Sequence, residues 1–279
     1  SKNKTLYEMT KSLELSEKSL EKIISYAKKK NILFFSSASD IPSIKLLRKK
    51  KQKIWKIASN LINDFPFLKY VGSFNQKVIL STGMSNLKEI ADALKTLTKY
   101  GTAREKITVL QCNSEYPSPI EDVNLKTMLT FKKLFGVKFG LSDHSKSLII
   151  PAAAVAMGAT IIEKHLTLSN KLKGPDHKAS LEPKEFKNMV ENIREVEKSL
   201  GDPIKKPTAS ERKNIFLLRK SIVCREKIKK GEIIKENKLT TRRPALGINP
   251  MYWNKIIGTK AKRNFIKGER LEIAKNKKL

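Results

Sequence analysis

Two of the three histidines in this chain close consecutive strand-like runs. His144 ends "VKFGLSDH", and His165 lies in "ATIIEKHLTL", one helix-plus-strand interval later. Neighbouring strands lie about 4.8 Å apart. Imidazoles at the ends of two such strands can share one metal ion at about 2.1 Å each, leaving positions open for water and substrate. With nitrogen and oxygen donors and no thiolate in either run, the site suits Mn²⁺, Zn²⁺ or Co²⁺. The plainer alternative is two strand-end histidines with satisfied hydrogen bonds. Equivalent placement in consecutive units favours the metal.

A second set could bind an anion. Ser37, Lys56, Ser59, Ser81, Ser114 and Ser142 offer short donors and one ammonium, the chemistry that holds a phosphate. Serine also starts turns, which explains one or two of these more easily than one in nearly every unit. A third feature is "GPDHKASLEPKEF", residues 174–186. Gly174-Pro175 makes a turn, and Asp176 and His177 could hydrogen-bond a polyhydroxylated substrate. Ser180 reads as a helix cap, with Pro183 in the first turn.

The elements that must position these residues alternate. Strands are expected at 31–39, 53–59, 77–83, 106–112, 137–144 and 159–168. Helices are expected at 41–50, 64–74, 86–101, 124–136, 147–158 and 182–201, with Gly101 as a helix stop. Continuous apolar strands alternating with helices mean a parallel sheet covered on both faces. No G-x-G-x-x-G follows any strand, so a dinucleotide-binding sheet has no support. The polar residues collect at the strands' C-terminal ends: Ser36 and Ser37; Lys56 and Ser59; Ser81 and Thr82; Asn113, Ser114 and Tyr116; Ser142, Asp143 and His144; Glu163 and His165. In a (β/α) barrel those ends converge on one mouth. A barrel needs eight strands and the pattern offers six. The reading is therefore an α/β, TIM-type barrel lacking its first two strands, with residues 1–30 supplying a loop and a helix. The barrel spans residues 1–200. Residues 201–215, "GDPIKKPTASERKN" in part, read as a polar linker. Residues 216–279 read as a small second module of short strands with Gly-containing turns.

Composition narrows the class. Hydrophobic residues make up 39% and charged residues 30% of the chain, as in soluble globular proteins. No apolar run reaches the roughly 18–20 residues of a membrane span, and no signal-peptide profile opens the chain. Cys112 and Cys224 give no disulfide framework, so a cytoplasmic setting is expected. The net charge of +31 is read as a lysine-rich solvated surface, because the lysines are spread along the chain without interleaved aromatics. Neither membrane nor nucleic acid is expected as a partner.

Together the motifs resemble the sialic acid synthase family, whose members condense phosphoenolpyruvate with an acceptor sugar. "LYEMTK", "KIAS", "ILSTGMS", "SEYPSPIEDVNL", "GLSDHS", "GATIIEKHLTL" and "GPDHKASLEP" occur in family order. "RRPALGI" and "MYWNKIIG" resemble the family's C-terminal antifreeze-like (SAF) domain. The resemblance implies His144 and His165 as ligands of a divalent metal, Mn²⁺ or Mg²⁺. It implies Lys56, Ser37, Ser59, Ser81, Ser114 and Ser142 as phosphoenolpyruvate contacts. Tyr116, Glu163 and Asp176 would face an N-acylmannosamine-type sugar, with Lys56, Glu163 and Asp176 catalytic. Arg243 would be lent to the other subunit's sugar in a homodimer with swapped C-terminal domains. The product would be a nine-carbon sialic acid, formed with C–O cleavage and release of phosphate. The family's glutamate and lysine from the first two strands are expected upstream of Ser1. Where the family has Gly and an acid after "KIAS", this chain has Asn60-Leu61. Little activity is therefore expected of the chain alone. The nearest rival reading is an N,N'-diacetyllegionaminate synthase, acting on a 2,4-diacetamido-6-deoxy sugar. The rival from another class is a truncated non-catalytic homologue that binds ligand or polyanion.

Overall fold

A computed structural model describes residues 6–272. The chain divides into two compact units between Gly201 and Asp202. The first unit runs α1 (Leu6–Leu13), α2 (Glu17–Lys29), α3 (Ile41–Lys49), β1 (Ile54–Ile57), α4 (Phe65–Gly72), β2 (Lys77–Ser81), α5 (Leu87–Lys99), β3 (Ile107–Cys112), α6 (Thr127–Phe135), β4 (Lys138–Asp143), α7 (Ile150–Ala156), β5 (Ile162–Lys164) and α8 (Pro183–Leu200). The strands form one parallel sheet in the order β1-β2-β3-β4-β5, a curled half-barrel. All strand C-termini therefore lie at one rim.

The local chemistry explains the elements. Val78, Leu80, Ile107, Val109, Leu110, Phe139 and Leu141 are buried along β2–β4, the pattern of a sheet covered on both faces. The helices supply the cover: Ile90, Ala93, Leu94 and Leu97 of α5 and Met128 and Phe131 of α6 face the same core. Asn86 and Glu89 start α5 with a reciprocal capping box. Gly136 closes α6 in the left-handed conformation, φ +61°, which suits glycine. Phe131 is fully buried. Phe131→Ala is expected to cost about 3–5 kcal/mol, read as a fall in the urea midpoint; a loss under about 1 kcal/mol would show that the core collapses around the gap.

The structure departs from the sequence reading in four places. Residues 31–39 form no strand. Their extended backbone is held at Ser36 by the Gln52 carboxamide, which accepts from the Ser36 N–H (2.8 Å) and donates to its carbonyl (2.9 Å). One side chain thus makes the two bonds a neighbouring strand would make. The opening residues supply two helices, α1 and α2, the second begun by Ser16 accepting from the Ser19 N–H. Ser180 does not cap α8, since its hydroxyl donates to the Asp176 carbonyl at 2.7 Å. Glu182 is the cap residue, with its N–H bonded to Glu185 and Pro183 in the first turn. The stretch read as linker holds the start of α9 (Ala209–Leu218), because Thr208 and Glu211 form a capping box.

In the second unit, β6 (Ser221–Cys224) pairs antiparallel with β7 (Leu239–Arg242), ahead of the short α10 (Trp253–Ile256). Ile222, Cys224, Ile228, Ile234, Leu239, Ile248, Ala261, Phe265 and Leu271 make its own small core. Gly231 and Gly268, at φ +85° and +82°, turn the two "KGE" segments where a side chain would be strained. Both cysteines are free and buried. No helix among the described residues is long and apolar enough to cross a membrane.

Candidate active site

Parallel pairing sets the site. Ser142 registers with Glu163, and Asp143 with Lys164, which carries His144 and His165 to matching heights on β4 and β5. Their ring centroids are 5.2 Å apart, edge to face. Tyr116 stacks on His144 at 4.1 Å and meets His165 edge-on at 5.5 Å. The His144 Nδ1 lies 2.5 Å from the Asn113 carbonyl oxygen. That oxygen only accepts, so Nδ1 carries the proton and the Nε2 lone pair is left for a ligand. Burial lowers the pKa of His144; His165 adds to that, while the Asn113 carbonyl and the carboxylates of Glu163 and Asp143 oppose it. Partial burial, with Cys112, Asp176 and Glu163 nearby, pushes the Tyr116 hydroxyl up to about 12. Its phenol remains a neutral donor at physiological pH.

A polar chain crosses the mouth from β1 to β4. The Lys56 ammonium is 3.3 Å from Glu163, whose other oxygen accepts from the Ser142 hydroxyl at 2.6 Å. Ser142 Oγ lies 3.4 Å from the His144 Nε2. Asp176 reaches His165 Nδ1 at 3.7 Å from the loop after β5. That loop is fastened internally: His177 Nδ1 pairs with Thr167 Oγ1 at 2.7 Å, and the Asn170 amide holds the carbonyls of His177 and Ser180. The Nδ1 of His177 is thus engaged within its own loop rather than turned to a substrate.

Beside this chain lies a small-donor cradle. Ser59 Oγ accepts from the Gly83 N–H at 2.9 Å. A Cβ built on Gly83 would fall 2.2 Å from Ser114 Oγ and 2.9 Å from Ser59 Oγ. The two hydroxyls therefore approach the backbone at Gly83 so closely that only glycine fits there. Ser81, at the end of β2, is buried with no hydrogen-bond partner for its hydroxyl among the described residues. A buried hydroxyl without a partner at a strand's C-terminal end is a donor available to an anionic ligand.

The structure brings together Lys56, Tyr116, Ser142, His144, Glu163, His165 and Asp176, and places Ser59 and Ser114 at the cradle. Ser37 is exposed in the extended segment before α3, and among the described residues no hydrogen bond or ion pair joins it to the others. Arg243 belongs to the second unit and is exposed there. Leu61 is buried in the core, so that position serves packing. Sequence reasoning missed Gly83, the Asn113 carbonyl and Lys164. A lone glycine after "ST" carries no signal, and a backbone carbonyl carries none in any sequence. Lys164 could have been noticed as a charge within a run otherwise destined for burial.

The donor set fits a divalent ion. Two imidazoles within joint reach, one with its tautomer set by a carbonyl, leave several positions open. Among the described residues no group of three or more His, Cys, Asp or Glu could hold a metal, so these residues would contribute the two imidazoles.

A parallel half-barrel with its polar residues gathered at the C-terminal rim defines a TIM-type barrel enzyme. The chain belongs to the NeuB family, that of the sialic acid synthases: the family model matches residues 1–205, and a SAF domain follows at residues 219–273. It is 48% identical to the N,N'-diacetyllegionaminic acid synthase of Campylobacter jejuni, over 94% of this chain and 78% of that one. It is 39% identical to the enzyme of the same name from Legionella pneumophila, over 96% of this chain and 76% of the relative. Among solved structures, the N-acetylneuraminic acid (sialic acid) synthetase of Leptospira borgpetersenii superposes with a TM-score of 0.69 at 36% identity, covering 74% of this chain and 72% of that one.

Proposed function

We propose that the chain condenses phosphoenolpyruvate with the open-chain aldehyde of an N-acylmannosamine-type sugar to give a nine-carbon nonulosonic acid. The observation that carries this reading is the convergence of His144, His165, Lys56, Glu163 and Ser142 on one rim in a chain of the NeuB family. The two relatives named diacetyllegionaminic acid synthases favour a 2,4-diacetamido sugar over N-acetylmannosamine as acceptor.

Lys56 and the hydroxyls of Ser59, Ser81, Ser114 and Ser142 hold the phosphate and carboxylate. The Ser81 hydroxyl, without a partner among the described residues, gains an acceptor when the anion enters. His144 and His165 would hold a divalent metal, Mn²⁺ or Mg²⁺, which supplies Lewis acidity toward the aldehyde oxygen. C3 of phosphoenolpyruvate attacks the aldehyde carbon and forms the new C–C bond. Water adds at C2, and phosphate leaves by C–O cleavage. Glu163, held between Lys56 and Ser142, is oriented to take the proton of that water at its carboxylate. Tyr116 donates to, and Asp176 accepts from, the acceptor's hydroxyl and amide groups. Arg243, in a homodimer with exchanged SAF domains, reaches the N-acyl group of the partner's substrate.

The test is phosphate release by purified protein given phosphoenolpyruvate, Mn²⁺ and each acceptor in turn. Acceptor-dependent release supports the synthase, and the faster acceptor identifies the product. Binding of phosphoenolpyruvate with no release from either acceptor would make the chain a ligand-binding homologue instead. A second result is expected at the cradle. Gly83→Ala should weaken phosphoenolpyruvate binding at least about tenfold, or about 1.4 kcal/mol, with little change in melting temperature. The clashing atoms are movable hydroxyls, so the fold adjusts while the two serine donors are displaced from the anion. Unchanged calorimetric affinity would remove the cradle from the site.

A further inference from the structure

We propose that Asp143 and Lys164 are positioning residues that hold His144 and His165 in one register. This rests on the metal-site reading above. Successive strand residues point to opposite faces. Ser142 and His144 share the inner face of β4, as Glu163 and His165 share that of β5, and Asp143 and Lys164 fall on the other face. They are direct register partners, with ammonium and carboxylate 2.6 Å apart and side chains 1% and 0% exposed.

The pair does more than neutralise itself. Lys164 also donates to the Ser145 carbonyl, and Asp143's other oxygen accepts from the Ser145 N–H at 2.9 Å. Both groups thus grip the residue that follows His144. β5 is only three residues long and is the edge of the sheet among the described residues, so its ladder is a weak determinant of where His165 sits. A buried ion pair gives little net stability, and well-packed apolar residues of similar size are often as good. What an apolar pair lacks is direction. The Lys164–Asp143–Ser145 clamp ties the last residues of both strands to one point, directly behind the two rings.

The test separates positioning from stability. In the double variant Asp143→Leu/Lys164→Met the buried charges are removed together, so no unpaired charge remains and the chain should fold cooperatively, its melting temperature lowered by about 5–15 °C through the two Ser145 backbone bonds it loses. Its Mn²⁺ affinity should nevertheless fall about 10–100-fold. The chain has three histidines, so imidazole ¹⁵N spectra of the metal-free protein resolve each ring. The His144 and His165 signals should move, while His177, fastened to Thr167, should not. Asp143→Glu keeps both charges and lengthens one arm; it should shift the same two rings by less, and it supplies the reading if the double variant does not fold. A folded variant with unchanged rings and unchanged Mn²⁺ affinity overturns the proposal. If the parent itself binds no Mn²⁺, the metal reading fails, and the ring signals of the metal-free proteins alone decide whether the pair positions the histidines.

Discussion

His144→Ala is expected to slow phosphate release about a thousandfold, close to 4 kcal/mol of lost transition-state stabilisation, and to weaken Mn²⁺ binding at least about a hundredfold. The imidazole is one of two nitrogen donors that meet at the rim, 5.2 Å from the other ring, and no third protein ligand joins them among the described residues. Losing one of two leaves too little to retain the ion. The ring is buried, but it contributes a polar side chain rather than core packing, so the substitution should cost only about 1–3 kcal/mol through the lost bond to the Asn113 carbonyl. Circular dichroism confirms folding, and turnover with titrated Mn²⁺ gives the effect. A variant that keeps more than a tenth of parental turnover would take His144 out of the reaction. Asn113 is no substitute target, since its contribution is a main-chain carbonyl that side-chain replacement leaves in place.

Gly140→Ala should be the most damaging single change of one methyl group. A Cβ on Gly140 would fall 2.2 Å from the Ile161 carbonyl oxygen and 2.7 Å from Leu110 Cδ2. Backbone cannot swing aside as a side chain does. That carbonyl also accepts from the Leu141 N–H at 3.0 Å, so the methyl group would push β5 from β4 and break the bond beside it. The expected cost is about 3 kcal/mol or more, seen in urea denaturation, with a parallel loss of Mn²⁺ affinity because His165 moves with β5. Gly136→Ala is the control. No atom lies within 4 Å of its Cβ, but its φ is +61°, so only the left-handed strain of about 1–2 kcal/mol applies. Equal losses at the two positions would show that strand separation is not what Gly140 prevents.

The parts of the fold legible in the sequence are those with strong periodic or compositional signals. "KVILSTG", "KITVLQC" and "VKFGLSDH" are apolar runs ending in polar residues, and each became a strand. "NLKEIADALKTLTKYG" became α5 within a residue of its expected start. "NILFFSSAS" carries an equally apolar signal and is no strand, because strand formation needs a neighbouring strand, and at Ser36 the bonds go to the Gln52 side chain instead. Ser180 looked like a cap by residue type, yet it bonds backward to Asp176. Which acceptor a hydroxyl finds depends on the turn around it.

The same division holds at the site. Residue types and spacing alone placed His144 and His165 at equivalent strand ends and put Lys56, Glu163 and the serines other than Ser37 at the same rim, because a parallel sheet brings strand ends to one rim whatever the intervening helices are. Only the tertiary structure decided which polar groups touch. The Lys56–Glu163–Ser142 chain, the tautomer of His144, the close approach at Gly83 and, apart from its local Asp143–Ser145 bond, the clamp behind the histidines are contacts between residues 19 to 107 positions apart. No local pattern encodes such contacts, because they arise from the curl and register of the sheet.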